Sequence, residues 1–157
     1  MVRDPVKSEA PHRGVVAFLA CAVLCNLVAV GAGIGAALAY AGEGRWAIAG
    51  AFRQHRALHV TFATAWVYLG GIAVLYHALV ERQPAGLGRR MRVHLGSWLC
   101  AGLGMFACVC LGRYSGREYM EAPWHLSLPV LAGWLAMCSC YVSAFGTRLQ
   151  GAPVYRY

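Results

Sequence analysis

Residues 14–40, GVVAFLACAVLCNLVAVGAGIGAALAY, contain no charged side chain, and Asn26 is their only strongly polar member. A helix needs about 20 apolar residues to cross the hydrocarbon core of a bilayer. This run exceeds that length and therefore predicts a membrane-spanning segment. Because backbone N–H and C=O groups in lipid must be bonded within their own segment, a helix is the only plausible form for it.

Three more segments meet the same length criterion, and short polar stretches separate them. The sequence therefore predicts an all-α integral membrane protein built as a four-helix bundle. A polar leader at residues 1–13 precedes the bundle, and a tail at 147–157 follows it. The predicted spans are residues 14–40, 57–79, 93–112 and 124–146.

The composition agrees with a membrane protein. The chain is 59% hydrophobic and 13% charged, whereas soluble domains average roughly 45–50% apolar and about 25% charged residues. The net charge of +8 would suit nucleic acid, but no basic stripe coincides with a soluble fold, so no nucleic-acid partner is expected. The seven cysteines lie in apolar segments, where they are expected to act as small hydrophobic thiols.

The first span has one alternative interpretation. A basic leader, an apolar run and the segment ALAYAG resemble a cleavable signal peptide. The apolar run is about twice as long as a typical signal core. A retained helix is therefore favoured.

The distribution of basic residues predicts the direction of the spans. With the N-terminus inside, nine of the 14 Lys and Arg residues fall on the inner side and five on the outer side. The positive-inside rule then predicts that both termini lie in the cytoplasm. With four predicted spans, the sequence predicts a multi-pass protein embedded in the lipid bilayer.

Four histidines lie near the ends of the predicted spans. Ionisable groups within membrane spans are costly to bury, so they are candidates for function. Their depths match in pairs, with His59 and His125 toward the outer side, and His77 and His94 toward the inner side. A histidine at a membrane boundary is also commonly an interfacial residue, and this alternative stays open for both pairs.

The outer pair suggests a cofactor. Two opposed imidazoles from different helices are the usual ligands of haem iron in electron-transfer cytochromes. Haem propionates are anionic, and Arg binds carboxylates through two parallel hydrogen bonds. Three arginines lie at the outer surface, on the same side as His59 and His125, and are candidates for contacting propionates: Arg56, Arg113 and Arg117.

The inner pair, His77 with His94, is a candidate for a second haem. His59 and His77 are 18 residues apart, which is five helical turns, so both project from one face of the second span about 27 Å apart. That distance exceeds the spacing familiar from two-haem membrane cytochromes. One haem is therefore expected, and the second is left open.

Two segments resemble a known family. The first, RALHVTFATAWVYLGGIAVLYHAL at residues 56–79, resembles the second helix of the large subunit of bacterial nitric oxide reductases, in the haem–copper oxidase superfamily. That helix has Arg-x-x-His, then a Trp and a half rich in Gly and aromatic residues. The second, GREYMEAP at residues 116–123, resembles the family's Gly-Arg-Glu-aromatic/Leu-Leu-Glu segment between the third and fourth helices. The matches occur in the family's order.

The resemblance implies roles for individual residues. It implies that His59 is an axial ligand of a low-spin haem b and that Arg117 contacts the haem propionates. Glu118 would help to hold a calcium ion that bridges propionates. Glu121 would lie near a proton or water path from the outer side. The resemblance also implies a bacterial inner membrane.

The chain also departs from the family. The second ligand of that haem and the ligands of the catalytic metals lie on later helices, beyond the four that match. These four helices alone are therefore not expected to reduce nitric oxide or oxygen.

Three arrangements remain open. His125 could oppose His59 in a self-contained cytochrome b, or a second polypeptide could supply the remaining helices. Alternatively, the haem is lost and the chain is a structural or assembly subunit of a larger membrane complex. The leading hypothesis is a haem b-binding subunit for electron transfer, with other membrane subunits as partners and a redox partner that the sequence does not identify.

Overall fold

A computed structural model of the chain describes residues 6–42, 51–114 and 123–149. These residues form helices and turns, without a strand. Four helices among them are long and apolar enough to cross a membrane, which confirms the all-helical fold. They are α1 (Val6–Ala41), α2 (Ala51–Val80), α3 (Leu87–Cys110) and α4 (Ser127–Leu149), with a short 3-10 helix (Trp124–Leu126) before α4.

The outward faces of the helices are apolar. Leu24, Leu103 and Leu135 are each more than 60% exposed. Exposing such side chains to water costs roughly 25 cal/mol per Å² of apolar surface. Contact with lipid removes that cost, so the four apolar helices indicate a multi-pass membrane protein.

The second and third helices begin before the predicted spans. α2 begins at Ala51 and α3 at Leu87, each six residues ahead of the apolar run. The backbone bonds of a helix do not depend on side-chain polarity, so the helices continue through the flanking polar residues. Arg53, His55 and Arg56 therefore lie on the first turns of α2 rather than in a loop.

A glycine ends α3. Gly112 has φ +69°, in the left-handed region that favours glycine. Its N–H donates to the Val109 carbonyl at 3.0 Å, and the Arg113 N–H donates to the Cys108 carbonyl at 2.7 Å. This pair of bonds is the Schellman motif, which satisfies the last carbonyls of a helix. It fixes the position at which Arg113 leaves the bundle.

The core has two parts. α1 packs mainly against α2, and α3 against α4. The larger cluster draws on all four helices, includes Phe18, Ile72 and Tyr76, and lies toward the α2–α3 turn. The smaller cluster joins Ala57 of α2 to Met105 and Val109 of α3 near the opposite end. Both ends of the bundle are thereby fixed, and the histidine pairs lie one at each end.

In the sequence, the small residues Gly31, Gly35, Gly70 and Gly71 predict close contacts between membrane helices, because glycine lets two backbones approach. That prediction is confirmed for Gly35 of α1, where an added Cβ would collide with the His55 ring. It is wrong for Gly31, Gly70 and Gly71, at which an added Cβ would meet no described atom within 4 Å. These three glycines leave the helix surface open instead of bringing two backbones together.

Candidate functional site

The ring of His59 is held by the backbone of α1. Its Nδ1 lies 2.8 Å from the carbonyl oxygen of Ala29. A carbonyl oxygen only accepts hydrogen bonds, so this bond requires the proton to be on Nδ1. In the neutral ring Nε2 then keeps its lone pair. A histidine arranged in this way can bind a metal ion through Nε2.

Glycine makes room for this ring. An added Cβ at Gly33 would lie 2.8 Å from His59 Nδ1 and 3.1 Å from His59 Cε1. Gly35 lies in the same way against His55, one helical turn before His59. The two glycines therefore let α1 approach the histidine-bearing face of α2. Any larger residue at position 33 would push the ring away from Ala29.

An open depression of about 460 Å³ lies beside His59. Among the described residues its walls all belong to α2, so the side opposite the helix is uncovered. The hydroxyl of Thr64 donates to the Val60 carbonyl at 2.8 Å, so this donor in the wall is satisfied. The residues that line the depression are His59, Val60, Ala63, Thr64, Val67 and Tyr68.

His59 and His125 lie at the same end of the bundle. Leu58, next to His59, and Leu126, next to His125, both pack against the smaller core cluster. The structure does not bring the two imidazoles into contact, however. His59 faces α1, whereas the 3-10 helix that carries His125 packs against α3 and α4. The ring of His125 is exposed and contacts the edge of Trp124.

Two of the three expected arginines lie in the described part of the chain, and both are at this end of the bundle. Arg56 is half-buried on α2, one turn before His59, and Arg113 is exposed just beyond the end of α3. The side-chain amide of Gln54 donates to the Val109 carbonyl at 2.8 Å and so ties the start of α2 to the end of α3. Positive side chains from both helices are therefore present at one end.

Three predicted site residues lie outside the described part of the chain. Arg117, Glu118 and Glu121 fall within residues 115–122. Their roles at propionates, at a calcium ion and in a proton path remain predictions. In the described ranges no group of three or more His, Cys, Asp or Glu side chains is placed to hold a metal ion.

The inner histidines have different surroundings. His94 is fully buried, and its Nδ1 lies 2.9 Å from the hydroxyl oxygen of Tyr76. Its ring packs among Phe18, Trp98 and Trp134 with centroid distances of 5.3–6.2 Å. His77, one residue after Tyr76, is exposed. The structure therefore does not bring the two histidines together, and their joint binding of a second haem stays a prediction.

Sequence reasoning missed the partners of these histidines. Ala29 acts through its backbone carbonyl, for which no side-chain signal exists. Tyr76 could have been found, because its hydroxyl is a natural partner for a buried imidazole and its side chain points about 100° away from that of His77 on α2. Gly33 lies in the small-residue run GAGIG at residues 31–35, which indicates helix packing but does not identify the side chain that packs there.

Comparison with known proteins adds no assignment. No family model, no curated protein and no solved structure matches the chain.

Proposed function

We propose that the chain is a haem b-binding membrane subunit that takes part in electron transfer. The bond between His59 Nδ1 and the Ala29 carbonyl supports this proposal most directly. Histidines that bind metals usually donate their other ring N–H to a carbonyl or carboxylate, which fixes both tautomer and ring orientation. His59 has this arrangement before any metal is considered.

The side chains proposed to hold the haem are of the types that bind it. His59 Nε2 would be one axial ligand, and Arg56, Arg113 and Arg117 would neutralise the propionates. Bound haem supplies one-electron chemistry at its iron, with a potential set by ligand type, burial and nearby charge. The carbonyl of Ala29 orients the imidazole, and Gly33 provides the space in which it lies.

We propose further that a second polypeptide completes the site. Among the described residues the depression beside His59 is walled by α2 alone, and the 3-10 helix with His125 packs on α3 and α4. A single imidazole in an open depression supplies half of a low-spin ligand set. A partner helix that covers this face of α2 would supply the rest, as in a split or composite reductase.

Haem content tests the proposal. The native complex, purified through a tag on this chain, is expected to contain haem b in a pyridine haemochrome assay and a low-spin reduced-minus-oxidised spectrum. The chain purified alone is expected to lose the low-spin spectrum if a partner supplies the second ligand. His125→Ala separates the arrangements, because retention of low-spin ligation in the complex excludes His125 as the second ligand. Absence of haem b from the complex would refute the proposal.

The second candidate is a haem-free structural or assembly subunit. The exposed ring of His125 and the open face of α2 favour it, since neither encloses a cofactor. In that case alanine at position 59 or 125 would leave the complex intact, and this chain would bind no haem. Assembly of the complex with the chain deleted then measures its role.

Orientation belongs to the same proposal. We infer that both termini are cytoplasmic and that the chain lies in the inner membrane of a bacterium. A cysteine placed at Ser115 is expected to react with an impermeant maleimide in intact cells. A cysteine placed at Ala85, exposed in the α2–α3 turn, is expected to react only after lysis. Labelling is measured against the unsubstituted chain. The opposite labelling pattern would mean that both termini lie outside the cytoplasm.

Gly33→Ala is expected to lower haem content. The new methyl group would lie 2.8 Å from His59 Nδ1, so the ring must move and its bond to Ala29 is lost. Loss of such an outer partner typically weakens metal binding about 10–100-fold. Gly31→Ala is the matched control, because its methyl group meets no described atom within 4 Å and the gain in helix propensity is the same. Equal haem content in the two purified complexes would contradict the role of Gly33.

A further inference from the structure

Positive charge is concentrated around the α2–α3 turn. Four arginines lie between residues 81 and 92 with a single carboxylate, Glu81. A pocket of about 340 Å³ opens at this end between α3 and α4. It is separate from His59 and plays no part in the proposed haem site. Its lining residues are Gly86, Arg89, Arg90, Val93, Ala136 and Ser139.

Arg90 is held in place by α4. Its Nη1 donates to the Ser139 carbonyl at 3.0 Å and to the Ser143 hydroxyl at 2.7 Å. A guanidinium carries five N–H groups, more than these two acceptors use. Because its position is already fixed, little side-chain entropy is lost when it binds an anion. Arg90 is thus a pre-positioned donor in the wall of the pocket.

Arg89 supplies the second charge. It is exposed at the rim of the pocket, next to the buried start of α3 at Leu87. Gly86, the residue that precedes α3, makes no side-chain cap for the helix. The partial positive charge at the N-terminus of α3 therefore adds to the charge of the two guanidinium groups.

The pocket also has an apolar part, called here its floor. It consists of Val93, one turn further along α3 than Arg89 and Arg90, and of Ala136 on α4. Cationic groups at the rim with an aliphatic floor below them match a phospholipid, whose phosphate is followed by glycerol and acyl carbons. An inorganic phosphate ion has no acyl carbons that could contact the apolar part of the pocket.

We propose that this pocket binds the headgroup of an anionic phospholipid. The phosphodiester lies between Arg89 and Arg90, and the first acyl carbons lie against Val93 and Ala136. Basic pockets between membrane helices are known binding sites for anionic lipid headgroups. The bound lipid neutralises part of the charge at the turn and fills the gap between α3 and α4.

Native mass spectrometry of the purified full-length chain tests the proposal. Phosphatidylglycerol and phosphatidylcholine with identical acyl chains are added in equal amounts. Preferential binding of phosphatidylglycerol is expected. Arg89→Gln is expected to weaken that binding about fivefold, since one arginine near a membrane surface contributes about 1 kcal/mol to anionic lipid binding.

The control is Arg92→Gln, which removes the same charge from the same helix. Arg92 is exposed and does not line the pocket, so its replacement is expected to change binding less than about twofold. An equal loss of phosphatidylglycerol binding in both variants would mean that the lipid is attracted to the basic surface in general. It would overturn the proposal of a specific site. Displacement of the lipid by an excess of inorganic phosphate would overturn the lipid assignment.

A second variant tests the apolar floor. Ala136→Leu keeps every charge and fills the pocket, so it is expected to weaken phosphatidylglycerol binding while the helical circular dichroism stays unchanged. Full binding by a folded Ala136→Leu chain would mean that the lipid lies elsewhere, and would overturn the proposal. Haem content is not involved in either measurement, so this proposal and the proposed function succeed or fail independently.

Discussion

Replacing His59 with alanine is expected to remove the low-spin haem b from the native complex. The substitution deletes the Nε2 lone pair, and none of the other described residues that line the depression carries an imidazole. Loss of an outer partner alone weakens metal binding roughly 10–100-fold, and loss of the ligand itself is expected to exceed that range. The measurement is the reduced-minus-oxidised spectrum of the complex purified at equal protein concentration.

His77→Ala is the matched control for this result. It also removes a histidine from α2, but His77 is exposed near the other end of that helix. Its spectrum from the haem beside position 59 is expected to match that of the unsubstituted complex. The folded state of the His59→Ala chain is checked by thermal unfolding, because the lost bond to Ala29 costs only about 0.5–1.5 kcal/mol. A complete low-spin spectrum in folded His59→Ala would exclude His59 as a ligand.

The largest expected effect on stability is that of His94→Ala. His94 is fully buried, and its ring contacts Phe18 and Tyr76 at centroid distances of 5.3 and 5.7 Å. Removing a buried ring leaves a cavity, and truncations of this size cost about 2–5 kcal/mol. The variant also takes the imidazole away from the Tyr76 hydroxyl. The free energy of unfolding, measured by denaturant titration of the purified chain, is expected to fall accordingly.

Two variants separate packing from hydrogen bonding at this site. Tyr76→Phe keeps the ring but leaves the buried Nδ1 of His94 without its partner, so its cost is expected to be about 1–3 kcal/mol. His77→Ala alters an exposed residue and is expected to change stability by less than about 0.5 kcal/mol. Equal destabilisation by His94→Ala and His77→Ala would contradict the different surroundings of the two inner histidines.

The helices were predictable because lipid imposes a simple rule. Each apolar run long enough to cross a bilayer must form its own helix, and each of the four predicted runs did so. The boundaries were less predictable, since backbone hydrogen bonds continue through polar residues. Arg53 and His55 thus lie on α2 although they precede its apolar run. The end of α3 followed from Gly112, whose left-handed conformation no apolar count reveals.

The candidate site was predictable only in part. The sequence made His59 a candidate because ionisable groups in membrane spans are rare, and Arg56 and Arg113 candidates because they lie at the same surface. The structure places all three at one end of the bundle. The sequence also paired His77 with His94 by depth alone. Depth in the membrane does not determine which way a side chain points. On α2, Tyr76 is buried, whereas the next residue, His77, is exposed. The backbone partner of His59 required the packing of α1 on α2, which depends on the GAGIG glycines.

The most direct measurement of the central claim is a cryo-EM structure of the native complex at side-chain resolution. His59 Nε2 is expected within bonding distance of a haem iron, with Nδ1 still donating to the Ala29 carbonyl. The second axial ligand is expected to come from a helix of another subunit that covers the open face of α2. A structure in which Nε2 faces lipid, or in which tightly packed aliphatic side chains fill the space beside it, would contradict the claim.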